Sequence, residues 1–181
     1  MSLIATFAAL ALAAGQREDA FTGCYVKPDQ LPRSAPRFAA YAVPKERAFR
    51  PAPVRLETRD ARLFRTQLRT QAKEPPDFAG HYRVAYWGCG TGCMSFAVVD
   101  QKTGRVSFPP DFNIVEQVAA APLDHVTNQV GSRLLIVTGM LDEDEKRLGV
   151  YFYEMTPKGL KRVKRLTYDE ICAGVPRRDP P

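Results

Sequence analysis

Residues 81–100, HYRVAYWGCGTGCMSFAVVD, decide the fold. At the start of this stretch Tyr82, Val84 and Tyr86 alternate with their neighbours, which predicts one face of a β-strand. Three glycines within Gly88–Gly92 permit the positive φ angles of a tight turn, and a second apolar run follows them. The stretch therefore predicts a β-hairpin with a cysteine on each side of its loop.

Short β-type runs separated by turn residues continue towards the C-terminus. QKTG at 101–104 and TPKG at 156–159 are turn sequences that join pairs of these runs. The predicted strands are His81–Trp87, Cys93–Asp100, Arg105–Phe108, Ser132–Leu141, Leu148–Met155 and Leu160–Leu166. We therefore predict an α+β fold that is predominantly an antiparallel β-sheet of about six strands, either one curved sheet or a small sandwich, backed by one amphipathic helix.

The predicted helix covers residues 57–73, ETRDARLFRTQLRTQAK, which have helical hydrophobic periodicity. Its apolar stripe consists of Ala61, Phe64, Leu68 and Ala72. The adjacent basic stripe consists of Arg62, Arg65, Arg69 and Lys73. Two interpretations of the basic stripe are open: a solvated flank of a helix that packs on the sheet, or a surface that binds anions or a membrane.

The N-terminal residues predict export. Leu3–Ala14, LIATFAALALAA, would rise about 18 Å as a helix, too little for a bilayer core of about 30 Å. The run has the length of the apolar region of a secretory signal peptide, and Ala11 and Ala13 supply small side chains before a cleavage site. We therefore predict a signal peptide at residues 1–13 and a periplasmic or secreted protein. No positive charge precedes the run, and the alternative is a buried N-terminal helix.

A basic, proline-rich segment comes next. Six prolines between Pro28 and Pro53 interrupt helices and central strands, so we predict an extended arm at residues 14–55 that packs over a helix-plus-sheet domain at residues 56–175. Residues 1–75 hold thirteen Lys/Arg and seven Asp/Glu, so this half carries the whole net charge of +6. Such a field attracts anionic lipid, an anionic envelope polymer or an acidic protein. We expect neither nucleic acid as a partner nor a transmembrane segment.

The four cysteines predict two disulfides, because an even number is typical of proteins from oxidising compartments. Cys89 and Cys93 can bridge across the hairpin loop, and Cys24 can then pair with Cys172. A redox site or a zinc site at Cys89 and Cys93 is the alternative. A redox pair, however, has a two-residue spacer before a helix, and zinc requires four ligands.

A candidate binding patch lies on the predicted hairpin. Its residues are His81, Arg83, Trp87, Gly90, Thr91 and Gly92. The first three share one face by strand alternation, and the loop N–H groups can form an anion-binding nest. The sequence contains no catalytic or cofactor motif, so we predict no catalytic residue, cofactor or metal.

These features favour a binding or inhibitor-like module that recognises a protein or an anionic envelope polymer. Two alternatives are open. A hydrolase-like envelope enzyme would use His81 together with an unidentified acid, and a purely structural envelope component would need no ligand.

Residues 56–104 carry the motifs PDFAGHY, WGCGTGC and VVDQKTGRV. In these motifs the chain resembles a group of uncharacterised exported bacterial proteins that combine a signal peptide with FAGHY and WGCGxxC segments. The resemblance implies an envelope location. It lends no activity and no functional residue.

Overall fold

The computed structural model of the chain describes residues 24–44, 46, 48–118 and 121–175. The predicted signal peptide and the first part of the predicted arm lie outside the described residues. The described residues form an α+β structure around a single sheet in which all paired strands are antiparallel. This confirms the predicted fold class at that level.

The sheet has eight strands, more than the six runs named above. They are β1 (Tyr82–Gly90), β2 (Cys93–Asp100), β3 (Val106–Ser107), β4 (Val115–Glu116), β5 (Val126–Asn128), β6 (Leu134–Leu141), β7 (Leu148–Thr156) and β8 (Gly159–Leu166). Their order is β1-β2-β4-β6-β7-β8, with β3 paired to β2 and β5 paired to β6. The sequence does not predict β4 and β5, because runs of two and three residues are too short to show alternation.

The predicted helix at residues 57–73 is divided into α1 (Arg59–Leu63) and α2 (Arg65–Gln71). Between them Phe64 leaves helical geometry, with φ −96° and ψ 22°, and its ring stacks on Trp87 at 4.3 Å between centroids. The apolar sides of both helices still pack on β1 and β2, as the periodicity predicts.

One further helix, α3 (Tyr168–Cys172), has no counterpart in the prediction. Thr167 and Glu170 form its capping box, in which each side chain accepts a hydrogen bond from the other residue's backbone N–H. Two 3₁₀ turns, at Phe38–Tyr41 and Glu145–Arg147, complete the described helical elements.

Alternate residues of the strands belong to different cores. On β6, Leu135 packs in a cluster with Phe96 of β2 and Tyr153 of β7, whereas Ile136 packs on the opposite face. That opposite face is covered in two places. The N-terminal segment and α3 cover β6 and β7, and the α1–α2 pair covers β1 and β2. The helix pair is thereby fixed above the first hairpin.

The N-terminal segment is packed on the sheet in its described part. Cys24 is buried and is joined by a disulfide to Cys172, with the two Cα atoms 5.7 Å apart. Further along, Ala42 forms an isolated antiparallel bridge with Ser132. The described part of the segment therefore lies over the body of the protein.

The free side of β1 is occupied by a side chain of α2. The Gln71 amide donates through Nε2 to the Tyr86 carbonyl at 2.7 Å and accepts through Oε1 from the Tyr86 N–H at 3.1 Å. This pair of bonds imitates a neighbouring strand and protects an edge that could otherwise pair with another chain. It also fixes α2 against the sheet.

Candidate functional site

A groove lies between α2 and the proline-rich segment that precedes α1. Two backbone hydrogen bonds hold that segment in place: Ala52 N–H donates to the Gln101 carbonyl at 2.7 Å, and Arg55 N–H donates to the Gly104 carbonyl at 2.8 Å. Gly104 has a φ of +76°, and a Cβ atom there would lie 1.9 Å from the carbonyl oxygen of Pro53. Only glycine permits this approach, so the turn after β2 determines where one wall of the groove runs.

The groove has a volume of about 560 Å³ and three basic side chains in its walls. Arg69 belongs to α2, Lys73 follows the end of that helix, and Arg50 comes from the facing segment. Pro51 and Val54 supply part of its apolar lining. The groove therefore combines an apolar surface with positive charge from both sides.

None of these three cations has an ion-pair or side-chain hydrogen-bond partner in the described part of the chain. Basic side chains nearby are engaged: Arg83 pairs with Asp77 at 3.0 Å, and Lys102 pairs with Glu46 at 2.7 Å. Unpaired like charges around one groove repel each other, and a bound anion would relieve that repulsion. The arrangement is suited to an anionic ligand.

The other two residues of the predicted basic stripe are bonded to the backbone. Arg62 donates to the carbonyls of Leu56 and Glu57 at 3.1 and 3.0 Å, and Arg65 donates to the carbonyl of Arg62 at 3.3 Å. Both side chains are exposed but engaged. Only the C-terminal half of the stripe lines the groove.

A smaller cavity of about 310 Å³ adjoins the groove, and both are lined by Pro51 and Lys73. Gln101 lines this cavity and is only 1% exposed. Its Nε2 donates to the carbonyls of Ala72 and Glu74 at 2.8 and 2.7 Å, which ties the end of the helix pair to the turn after β2. Its Oε1 has no hydrogen-bond partner among the described residues. A residue in the wall of the cavity therefore carries a buried acceptor that the described chain does not satisfy.

His81 contacts Glu46 and Phe49, two residues that line the smaller cavity. Its Nδ1 lies 3.2 Å from Glu46 Oε1, and its Nε2 lies 3.6 Å from Asp100 Oδ1. The hydrogen bond from Lys102, aided by the charge of Lys102 and by His81, lowers the pKa of the Glu46 carboxyl despite the opposing effect of desolvation. Both ring nitrogens of His81 thus face carboxylates, and the residue links the N-terminal segment to the end of β2.

Arg83 and Trp87 lie on the side of β1 that the helix pair covers. Arg83 is engaged by Asp77, as described above, and Trp87 stacks on Phe64. An apolar cavity of about 440 Å³ is lined by Phe64, Trp87 and Phe108, and it shares no wall residue with the groove. The Trp87 indole Nε1 has no hydrogen-bond partner in the part of the chain that the structure describes. These two predicted binding residues therefore do not form an open patch with His81.

The Gly90–Gly92 loop is the tip of the β1–β2 hairpin. The Cys89–Cys93 disulfide closes it, with Cα atoms 5.2 Å apart. The Gly92 carbonyl accepts a hydrogen bond of 2.5 Å from the Gln117 N–H. Nine residue steps separate the loop from His81, which corresponds to roughly 30 Å along a strand. The loop and His81 therefore lie at opposite ends of β1.

The groove and the smaller cavity each contain a residue that the sequence does not single out: Arg50 in the groove and Gln101 in the cavity. Arg50 contributes to the basic excess of the N-terminal half, but the sequence does not show that it faces α2. Gln101 belongs to the predicted turn QKTG, and turn residues are ordinarily exposed. Gln101 is buried because the chain passes over it after α2, and a local sequence pattern does not predict that path.

No protein-family model, curated protein or solved structure matches the chain. Its function has to be argued from its own geometry. Within the described ranges, no group of three or more His, Cys, Asp or Glu side chains is arranged to hold a metal ion. No helix in the described ranges combines the length and the apolar character needed to cross a membrane.

Proposed function

We propose that this chain is an exported envelope protein, periplasmic or secreted, whose groove binds an anionic envelope polymer. The observation that carries the proposal is the set of three unpaired cations, Arg50, Arg69 and Lys73, on the two facing walls. Each is exposed, so each can reach a ligand without rearrangement of the core. A chain of phosphate or carboxylate groups that follows the groove would meet positive charge from both sides.

Two features favour a polymer over a protein as the ligand. Stable protein interfaces bury on the order of 1,200–2,000 Å² and are anchored by clustered aromatic or arginine side chains. The exposed large hydrophobic residues of the described chain come from four separate parts of the sequence: Tyr25, Leu63, Tyr86 and Val130. The groove, by contrast, adjoins a second cavity with which it shares Pro51 and Lys73, and such a pair of sites suits an extended chain.

Export is supported by the disulfides and by the apolar N-terminal run. The bonds Cys24–Cys172 and Cys89–Cys93 are the pairs that the spacing predicts, and they leave no free cysteine in the described chain. Structural disulfides persist in oxidising compartments and are rare in the cytosol. The signal peptide at residues 1–13 would deliver the chain to such a compartment.

The hydrolase-like alternative has less support. The two ring nitrogens of His81 face Glu46 and Asp100, and neither forms a hydrogen bond with a hydroxyl or thiol group in the described chain. A role for His81 in fixing the segment that carries Arg50 follows directly from these contacts.

A binding experiment tests the proposal. The triple variant Arg50→Ala, Arg69→Ala, Lys73→Ala removes the groove cations. A matched control, Arg33→Ala, Arg59→Ala, Lys158→Ala, removes the same charges at exposed positions that have no ion pair in the described chain. Both are made in the chain without residues 1–13. Binding of fluorescently labelled inorganic polyphosphate is measured by anisotropy at several salt concentrations.

We expect the groove variant to bind at least about tenfold more weakly than the wild type, and the control to stay within about twofold, because distant charges are screened at physiological salt. Three phosphate contacts predict a slope of log K against log salt of about −2 to −3 for the wild type, by analogy with single-stranded nucleic acid. The proposal fails if the wild type does not bind, or if the two triple variants weaken binding equally.

A further inference from the structure

The groove and the smaller cavity form one continuous site with two different chemistries. Pro51 and Lys73 line both, so a single extended ligand can occupy the two at once. Arg50 and Arg69 line only the groove. Beyond Lys73 the cavity contains no unpaired cation in the described chain, and two carboxylates, Glu46 and Glu74, line it. Glu46 is paired with Lys102, so a uniformly anionic chain would find no free positive charge in the cavity beyond Lys73.

The cavity is instead suited to a neutral unit that donates hydrogen bonds. Gln101 Oε1 is a buried acceptor without a partner among the described residues, and leaving such a group unsatisfied costs about 1–3 kcal/mol. The carboxylates of Glu46 and Glu74 accept hydrogen bonds as well. Phe49 and Pro75 supply flat apolar faces against which the carbon skeleton of such a unit can pack.

We propose that the polymer bound by the groove alternates anionic groups with hydroxyl-bearing units, as in a polyol phosphate or an acidic saccharide. The anion lies among Arg50, Arg69 and Lys73, and the adjoining unit lies in the smaller cavity, where the wall has to shift for a hydroxyl of that unit to donate to the buried Gln101 Oε1. This inference rests on the proposed function, since it takes the groove as the anion site. It adds the chemical class of the ligand.

The test blocks the cavity and leaves the cations in place. Ala48 is exposed and lines the cavity, so Ala48→Trp fills that space without disturbing a core residue. Ala40→Trp, at another exposed alanine in the 3₁₀ turn, is the matched control. Three probes of similar charge are used: inorganic polyphosphate, oligo(ribitol phosphate) and a hyaluronan oligosaccharide, in which charged and neutral sugars alternate.

We expect the wild type to bind at least one hydroxyl-bearing probe about tenfold more tightly than polyphosphate, the factor expected from one or two added hydrogen bonds. Ala48→Trp should remove that advantage and leave polyphosphate binding within about twofold, whereas Ala40→Trp should change neither. The hydroxyl-bearing probe that binds the wild type more tightly shows whether the ligand is a polyol phosphate or an acidic saccharide.

A second variant gives an independent readout. Phe49→Leu keeps the bulk of the side chain but removes the aromatic face, and it should weaken the hydroxyl-bearing probe several-fold more than polyphosphate. Equal binding of all three probes, unaffected by Ala48→Trp and Phe49→Leu but lost in the triple variant of the groove cations, would overturn this inference and leave the proposed function standing. If the triple variant still bound every probe as tightly as the wild type, both this inference and the proposed function would be overturned.

Discussion

The two disulfides should contribute very unequally to stability. Cys24–Cys172 closes a loop of 148 residues and Cys89–Cys93 a loop of 4. In the chain-entropy model these loops correspond to about 5 and about 2 kcal/mol as upper limits, because the longer loop restricts the unfolded chain more. The double variant Cys24→Ala, Cys172→Ala should therefore lose about 3 kcal/mol more than Cys89→Ala, Cys93→Ala. Alanine is used because Cys24 is only 2% exposed and a hydroxyl there would be buried.

Urea unfolding, followed by the fluorescence of Trp87, measures the difference. With a slope of about 2 kcal/mol per M, the midpoint of the Cys24/Cys172 variant should lie about 1.5 M below that of the hairpin variant. Each variant lacks one bond and two sulfur atoms, so each serves as the control for the other. Equal midpoints, or a lower midpoint for the hairpin variant, would refute the claim that the longer loop makes Cys24–Cys172 the more stabilising bond.

Two further substitutions test the turn after β2 and the loop after β6. Gly104→Ala should lower the free energy of unfolding by about 2 kcal/mol or more and weaken polyphosphate binding, because its Cβ would displace Pro53. Gly131→Ala is the control: its Cβ meets no atom within 4 Å, so neither stability nor binding should change. Burial disfavours ionisation of Asp142, but two backbone N–H groups and Arg147 outweigh it and lower the pKa of this carboxyl. Its stabilising effect is therefore present above about pH 4 and is lost as the pH falls further, so the melting difference between wild type and Asp142→Asn should vanish in acid. A difference that persists unchanged at pH 3 would contradict this account.

Long periodic segments made most of the fold predictable. The run Ser132–Leu141 contains β6, and the cysteine spacing in WGCGTGC gives the closed hairpin. The helical stripe with Phe64 packs on the sheet as expected, although the stacking of that ring on Trp87 accompanies a break in the helix. Such a break depends on a tertiary partner, which periodicity does not contain.

The short elements were harder to predict from the sequence. The strands β4 and β5 exist because their backbones meet β2 and β6, and not because their own residues alternate. In contrast, α3 had a readable signal, since Thr167 and Glu170 have the spacing of a capping box.

The candidate site likewise combines residues that a local sequence pattern predicts with residues that depend on long-range contacts. Arg69 and Lys73 were predicted from helical spacing, but spacing alone could not separate them from Arg62, which is bonded to backbone carbonyls. Arg50 reaches the groove only because a glycine turn lets the N-terminal segment approach β2. Gln101 forms hydrogen bonds with three other parts of the chain: the N-terminal segment at Ala52, the end of the helix pair at Ala72 and Glu74, and the residue before β1, His81. These relations are long-range and have no local pattern.

The most direct test of the groove as the ligand site is to map which residues of the protein respond to a bound ligand. The chain without residues 1–13 is labelled with ¹⁵N and titrated with oligo(ribitol phosphate), and changes in amide chemical shift are recorded. We expect the largest changes at residues 48–54, at residues 69–74 and at Gln101. Changes concentrated on β8 or on the Gly90–Gly92 loop, with the groove unaffected, would contradict the account.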